Sequence, residues 1–476
     1  MRAALLALAA VVAALAACGD TLVDHGAPAV QQGPGNIVCN DPTAPVACFR
    51  AGVNSCRAET VDTCGTGCTS CPATGPTPPP NAVHACLGEG SGKGYCGYAC
   101  TNGLLKCTSG CCEAKQVASG GLHGCATTAG GALYCWGANG TGQVMGVPGD
   151  PVTLPTKRLE SGAVAVAAGG GHTCVALASE VDCWGRDVEF QAPFRTYLAG
   201  VTALAAGLTH TCALVEATGA VHCWGTGDAV GDGTPIPSGA KAIAAGDDHT
   251  CALIASTGEV KCWGANGSGQ LGNGSTIASA VPVTAVAAGI GAIAASGNHS
   301  CAAALVESGG NVSDAVRCWG DEPGPFFSLA SPQTTPAIPL KDANQSVVRF
   351  QVGSLTAGAA HFCVQKPGDA IDCFGEISAS PPLKNASGQL GGTPLPTALK
   401  EVVAVPNSFG ATSFAAGRDH TCAVFPVSTV NGLVHGVWCW GSNASGQLGD
   451  GSLVTPGSPE DPTPRQLGAP VPVSGR

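Results

Sequence analysis

One motif recurs seven times and limits what this chain can fold into more than any bulk property does. It is a glycine turn, then His-x-Cys, a short loop, and Cys-aromatic-Gly. The histidines are His123, His172, His210, His249, His299, His361 and His420. Each is followed two residues later by a cysteine, at Cys125, Cys174, Cys212, Cys251, Cys301, Cys363 and Cys422. The returning cysteines are Cys135, Cys183, Cys223, Cys262, Cys318, Cys373 and Cys439; all but Cys373, which precedes Phe374-Gly375, lead into Trp-Gly. Self-similarity at roughly 40 to 60 residues belongs to solenoids, propellers and arrays, whose units bury their apolar faces only against one another.

The fourth copy shows what one unit is. Cys251-Ala-Leu-Ile254 is too short and too continuously apolar for an amphipathic helix and reads as a strand buried on both faces. Ser256-Thr257-Gly258 is turn chemistry, because glycine accepts the positive φ that hairpins need. Glu259 to Trp263 alternates polar and apolar, as a half-buried strand does. The unit is a β-hairpin with one cysteine on each arm. Facing residues of antiparallel strands are close enough for a disulfide. This predicts Cys125–Cys135, Cys174–Cys183, Cys212–Cys223, Cys251–Cys262, Cys301–Cys318, Cys363–Cys373 and Cys422–Cys439. Downstream, Gly264–Gly272 reads Gly-x-Asn-x-x-Gly-Gln-Leu-Gly; copies stand at Gly441–Gly449 and, with Val for Leu, at Gly137–Val144. Its Asn and Gln amides can bond backbone groups that a tight turn leaves unpaired. The second, third and fifth repeats lack it.

His-Thr-Cys-Ala-Leu followed by Cys-Trp-Gly-x-Asn-x-x-Gly-Gln-Leu-Gly resembles the regulator of chromosome condensation repeat. The resemblance runs from about Val117 to the C-terminus and implies a seven-bladed β-propeller with blades of four antiparallel strands. Composition agrees: 70 Gly and 34 Pro among 476 residues, with 5% aromatic and 11% charged, suit a turn-dense all-β chain. The expected fold class is all-β, a seven-bladed β-propeller preceded by a small disulfide-rich region.

The N-terminus divides into three segments. Residues 1–17 read as a signal peptide: Arg2 is its basic end and Ala3–Ala14 its apolar part, too short to span a bilayer. Leu15-Ala16-Ala17-Cys18 resembles a bacterial lipobox, which implies a lipid on the Cys18 sulfur and cleavage before it. Residues 18–37 form a tether without periodicity, residues 38–114 a Cys-rich region, and residues 115–476 the propeller. Of 27 cysteines, removing Cys18 and the fourteen of the hairpins leaves an even set between Cys39 and Cys112. Thr77-Pro78-Pro79-Pro80 divides that set into two sixes, read as two disulfide knots of open connectivity. Cys64, Cys68 and Cys71 have zinc-like spacing, but in an exported chain with His84 as a poor fourth ligand they read as disulfide partners.

Chemistry is sparse. There is no Ser-His-Asp order, Gly-x-Ser-x-Gly, His-Glu-x-x-His or phosphate loop. Seven repeated histidines read as buried imidazoles bonded to backbone carbonyls. The chain is expected not to be an enzyme and to need no metal or cofactor. A net charge of −11 speaks against nucleic acid as a partner. The fifth and seventh hairpins carry insertions, Leu305–Ala315 and Pro426–Gly436, expected as loops on one face. Phe190, Phe194, Tyr197, Phe326 and Phe327 lie between repeats and are candidate anchors for a protein partner; capping of blade edges is the rival reading. The first functional expectation is a lipid-anchored surface scaffold in the cell envelope, at the outer membrane or cell surface, bound to the membrane by its lipid and to an unknown protein partner. Two alternatives come from the resemblance. The family's eukaryotic founder exchanges nucleotide on a small GTPase, and a secreted bacterial β-lactamase inhibitor shares this propeller type. Finally, proline-marked apolar strands lead into later repeats, as at Val281–Val286, and the tail Pro464–Val473 has the same character. It is expected to close the ring by pairing into the first blade near Val117 and His123.

Overall fold

The structure, a computed structural model, describes residues 80–89, 93–107, 110–186, 194–231, 233–304, 316–321, 355–359, 361–365, 370–375, 403–405, 408–429 and 432–451, with short strands at 30–31, 37–38, 46–50, 53–57 and 465–466 and the single residues Leu390 and Leu453. No α-helix lies among them. Cys18, Phe190, Phe326, Phe327 and the fifth insertion fall outside the described residues.

Each repeat folds as one antiparallel sheet, with the predicted hairpin as its two middle strands. Blade 1 is Ala114–Ser119, His123–Thr128, Leu133–Gly137 and Val152–Leu159, paired in that order. Blade 2 follows with Ala165–Ala168, His172–Ala176, Val181–Gly185 and Phe194–Thr196. Blade 4 (Ala240–Ala245 to Ser279–Val286), blade 6 (Leu355–Ala357 to Val403–Ala404) and blade 7 (Ser413–Ala416 to Arg465–Gln466) also have four strands. Blade 3 (Val201–Ala206 to Ala220–Gly225) and blade 5 (Ile290–Ser296 to Val316–Gly320) show three among the described residues. In blade 3 a 3-10 turn at Asp228–Val230 and a single bridge, Val221 to Ile236, stand where the outer strand runs elsewhere.

The seven sheets form a closed ring. Innermost strands of successive blades touch in order, and Ser413–Ala416 of the last touches Ala114–Ser119 of the first. Backbone bonds link the turns at their ends: Gly121 N to Gly169 O (3.0 Å), Gly170 N to Gly207 O (3.0 Å), Asp247 N to Gly297 O (2.8 Å) and, across the closure, Arg418 N to Gly120 O (3.2 Å). The core is a set of layers between blades. Val166, Val175 and Trp184 of blade 2 pack on Cys125, Leu133 and Val144 of blade 1, and Leu253, Val260 and Leu271 of blade 4 pack on Ile293 and Trp319 of blade 5. Within each hairpin the two cysteines stand directly opposite, as Cys125 to Cys135 and Cys251 to Cys262 do. All seven pairs are disulfide-bonded.

The described residues of the tail, Arg465–Gln466, do not pair into blade 1. Arg465 lies opposite Cys439 and Gln466 opposite Trp438, so the described part of the tail is the outer strand of blade 7. The proline-marked strands explain the difference. Val152–Leu159, which contains Pro155, and Ser279–Val286, which contains Pro282, are the last strands of their own blades rather than the lead-in of the next. Blade 1 has its own inner strand, which begins at Ala114 directly after the Cys-rich region. That region shows antiparallel pairing of Ala82–Glu89 with Lys93–Cys100, with Cys86 opposite Cys96, and a hairpin of Leu105–Cys107 with Gly110–Cys112. Cys100–Cys111 and Cys107–Cys112 are disulfide-bonded.

Candidate functional site

The seven histidines gather at one level of the ring, and their chemistry is that of a joint between blades. Nε2 of His123 lies 2.8 Å from Oγ1 of Thr173 on the next blade. The same contact joins His172 to Thr211 (2.8 Å), His210 to Thr250 (2.7 Å), His249 to Ser300 (2.7 Å) and His361 to Thr421 (2.7 Å). The partner is thus a hydroxyl on the following blade, not the backbone carbonyl expected from sequence. Thr173 donates its own proton to the carbonyl of Gln143 (2.8 Å), and Ser300 donates to the carbonyl of Gln270 (3.1 Å). Those hydroxyls must accept from the imidazoles, which assigns the proton to Nε2 and leaves Nδ1 bare.

The same glutamine carbonyls accept from the repeat tryptophans. Trp184 Nε1 bonds Gln143 O (3.0 Å), Trp319 bonds Gln270 O (2.9 Å), and across the closure Trp136 bonds Gln447 O (2.9 Å). Their loops are tied internally as the amide argument requires. Asn139 Oδ1 accepts from Val144 and Met145, Asn266 Oδ1 from Leu271 and Asn443 Oδ1 from Leu448, at 3.0–3.1 Å. Gln143, Gln270 and Gln447 turn Oε1 back to the N–H two residues earlier. The apolar anchor after each glutamine packs on the next blade's tryptophan: Val144 on Trp184, Leu271 on Trp319, Leu448 on Trp136. Leu390 packs on Trp440 in the same way. It belongs to a fourth copy, Asn385-x-x-Gly-Gln-Leu-Gly391 in the sixth repeat, which residues 376–384 displace from its Cys-Phe-Gly and which was therefore missed.

Two joints lack the latch. The residue between His and Cys is Phe362 in blade 6 and Gly124 in blade 1. The His299 ring lies 6.0 Å from that of Phe362. Nε2 of His299 and both ring nitrogens of His420 have no hydrogen-bond partner among the described residues. Burial, with repulsion from neighbouring imidazoles, holds the rings neutral. It lowers His123, His249 and His361 to about 3. His210, His299 and His420 are lowered to about 4, chiefly by desolvation. These are proton-silent structural groups at neutral pH. No group of three or more His, Cys, Asp or Glu able to hold a metal lies among the described residues.

Two glycine positions are sterically required in most repeats, the second being Ser296 in the fifth. The glycine after Cys-Trp has φ between 104° and 113° at Gly137, Gly185, Gly225, Gly264, Gly320 and Gly441, a region that glycine alone enters freely. The glycine three residues before the histidine leaves room for the imidazole. A Cβ at Gly120 would stand 2.7 Å from Cε1 of His123 and 2.5 Å from Gly169 O on the next blade. Gly120→Ala is expected to cost about 3 kcal/mol, since overpacking and a displaced latch act together. Thermal unfolding checks this, and a melting temperature equal to that of the unaltered chain is the contrary result.

The turns preceding the histidines surround a central depression of about 270 Å³ to which all seven blades contribute. Leu122 and Leu208 are exposed at its rim. Asp247 and Arg418 are its two charged lining residues. Partial burial and the neighbouring Asp248 raise the Asp247 carboxyl, and Arg418 opposes the shift. Among the candidate anchors, Tyr197 is 83% exposed, whereas Phe194 lies in the outer strand of blade 2 opposite Cys183.

Seven sheets in ring order, each built on the predicted hairpin, agree with the propeller that the resemblance implied. The profile of the Regulator of chromosome condensation (RCC1) repeat matches residues 114–143 and 240–270, and a second profile of the same repeat matches residues 257–303. The chain carries regulator of chromosome condensation repeats at those residues. Among curated proteins no significant match to it is found. Solved structures similar to it include Prp20p of Saccharomyces cerevisiae, described with its binding to Gsp1p and histones (19% identity, TM-score 0.47, 63% of this chain and 80% of that one). The ectodomain of the receptor kinase CR4 of Physcomitrella patens is also similar (21%, 0.43, 70% and 74%), as is human WBSCR16 (17%, 0.42, 75% and 81%).

Proposed function

We propose that the protein is an exported, lipid-anchored β-propeller that presents a rigid protein-binding or structural surface at the cell envelope. The observation that carries this reading is where the repeated polar groups go. The imidazoles, hydroxyls, indole N–H groups and glutamine carbonyls are engaged in joining blades, so the motif builds a frame and leaves the rim and the segments between repeats as the surface that differs from blade to blade. Leu122 and Leu208 at the rim, and Tyr197 on its segment, are exposed apolar groups of the kind that anchor a protein partner. Disulfides in every blade support an oxidising compartment.

Cross-linking in the intact envelope followed by capture of the chain is expected to recover one stoichiometric protein partner. A small GTPase in that catch supports the exchange reading instead, an inactive enzyme supports the inhibitor reading, and recovery of the propeller alone counts against a binding role. The anchor is tested separately. Cys18→Ser is expected to move the protein from the membrane fraction to the soluble fraction, because stable attachment rests on the acyl chains. A soluble unaltered protein overturns the anchor.

A further inference from the structure

Six of the seven seams between blades are crossed by the chain itself. The seam between blades 7 and 1 is not, and it is also one of the two without a His–hydroxyl latch, since Gly124 offers no side chain to His420. We propose that residues 100–107 and 110–113 of the Cys-rich region are a disulfide-stapled clasp that holds the propeller ring shut across this seam.

The clasp grips both sides. On blade 7 the carbonyl of Gly103 accepts the N–H of Val437 at 2.9 Å. The Asn102-Gly103 turn, with φ of 58° and 70°, lies so close to that strand that a Cβ on Gly103 would stand 2.8 Å from the nitrogen of Val437. Cys100, Leu104 and Cys111 pack on Val427 and Val434. Both valines belong to the insertion of the seventh hairpin, whose arms run as ten-residue strands, His420–Thr429 and Gly432–Gly441. The expected free loop is instead an extended hairpin held by the N-terminal region. On blade 1 the Tyr134 hydroxyl donates to the carbonyl of Lys106 at 2.5 Å. Leu105, 1% exposed, joins one cluster with Val117 and Tyr134 of blade 1 and Val424 and Val437 of blade 7. Glu113 Oε2 accepts from the backbone N–H of His435 (3.1 Å) and lies 2.7 Å from its Nδ1.

Two staples make this short segment rigid. Cys100–Cys111 ties the turn to the following hairpin, and Cys107–Cys112 closes the hairpin itself. Only Glu113 separates the second staple from the inner strand of blade 1. The clasp therefore gives a role to two features that repeat architecture does not need: the longer seventh hairpin and the cysteines set directly against the first blade.

Amide hydrogen exchange on the oxidised full chain tests the clasp, comparing the unaltered protein with the double variant Cys107→Ser/Cys112→Ser and, as a milder break, Leu105→Ala. Exchange in Ala114–Ser119 and Ser413–Ala416 is expected to accelerate at least tenfold in each variant. Val201–Ala206 and Ala240–Ala245, on the far side of the ring, should stay as protected as before. Cys212→Ser/Cys223→Ser, a staple inside blade 3, should loosen blade 3 and spare the seam. Acceleration confined to blades 7 and 1 supports the clasp. Unchanged seam protection, or equal loss in every blade, overturns it. If the double variant does not fold, Leu105→Ala decides alone.

Discussion

Acidification from pH 7 to pH 5 is expected to remove about 10 kcal/mol of the propeller's stability, most of what a domain normally possesses. The cause is the ring of imidazoles. Six of them are neutral in the folded chain down to about pH 3 or 4, whereas in the unfolded chain they titrate near 6.5. Between those values the unfolded state binds more protons, so stability is complete above the unfolded pKa and falls as pH drops below it. Each histidine contributes about 1.4 kcal/mol per pH unit within that window. The reason is burial. At the latched joints Nε2–H is already given to the next blade's hydroxyl, and Nδ1 has no partner in His123, His249 and His361. A second proton would add a buried charge with nowhere to bond.

Two carboxyls act against this trend. Desolvation raises Asp247 and Asp419, so they favour the fold slightly as pH falls. Both are incompletely buried and fewer than the histidines, so the net slope keeps its sign. Guanidinium unfolding followed by tryptophan fluorescence at pH 7, 6 and 5 measures the effect, the indoles being reporters in the seams themselves. A midpoint that stays constant from pH 7 to 5 rules out neutral imidazoles as the common joint.

What could be read from the sequence was local, and what could not was the joint between units. A hairpin with Cys251 and Cys262 on facing arms follows from residues only a few positions apart. The same holds for the Asn266 and Gln270 turn, whose bonds stay within its own loop. The partner of His249 is Ser300, one blade on, and nothing within a repeat points to it. A signal was nevertheless present. The residue between His and Cys is a hydroxyl at every latched joint and is not one at Gly124 and Phe362, where the latch is missing. The tail was misassigned for a related reason. A circular repeat has no intrinsic starting point, so a strand lying between two histidines, such as Ser279–Val286, can be counted with either neighbour. Pairing of that strand with Val260–Gly264 settles its phase, and the tail follows the same phase onto blade 7. The seventh insertion could not be understood from its own residues either, because what it holds comes from the other end of the chain.

Reduction of the seven hairpin disulfides is expected to abolish the fold at neutral pH. Each bond closes a short ring: Cys183 lies nine positions after Cys174, and Cys439 seventeen positions after Cys422. In the chain-entropy account a ring of this size contributes about 3 kcal/mol, and seven sum to about 20 kcal/mol before any strain is subtracted. That exceeds the net stability of an ordinary domain, about 5–15 kcal/mol. The remaining joints cannot compensate, because the inner strands are short and rich in alanine, as in Ala165–Ala168 and Ser413–Ala416, and bury little apolar surface per blade. The blades also depend on one another. Each core layer is half built by its neighbour, so a hairpin that opens exposes the layer on either side of it. Loss of protection should therefore spread around the ring once several bonds are cut. Circular dichroism under increasing reductant, beside peptide mapping of the untreated chain without reductant, tests both parts. The untreated chain should show the seven intra-hairpin links, and the reduced chain should lose its β signal in one transition. A fully reduced chain that keeps its β signal and melting temperature would mean that the latches and indole contacts suffice, and that the fold does not need an oxidising compartment.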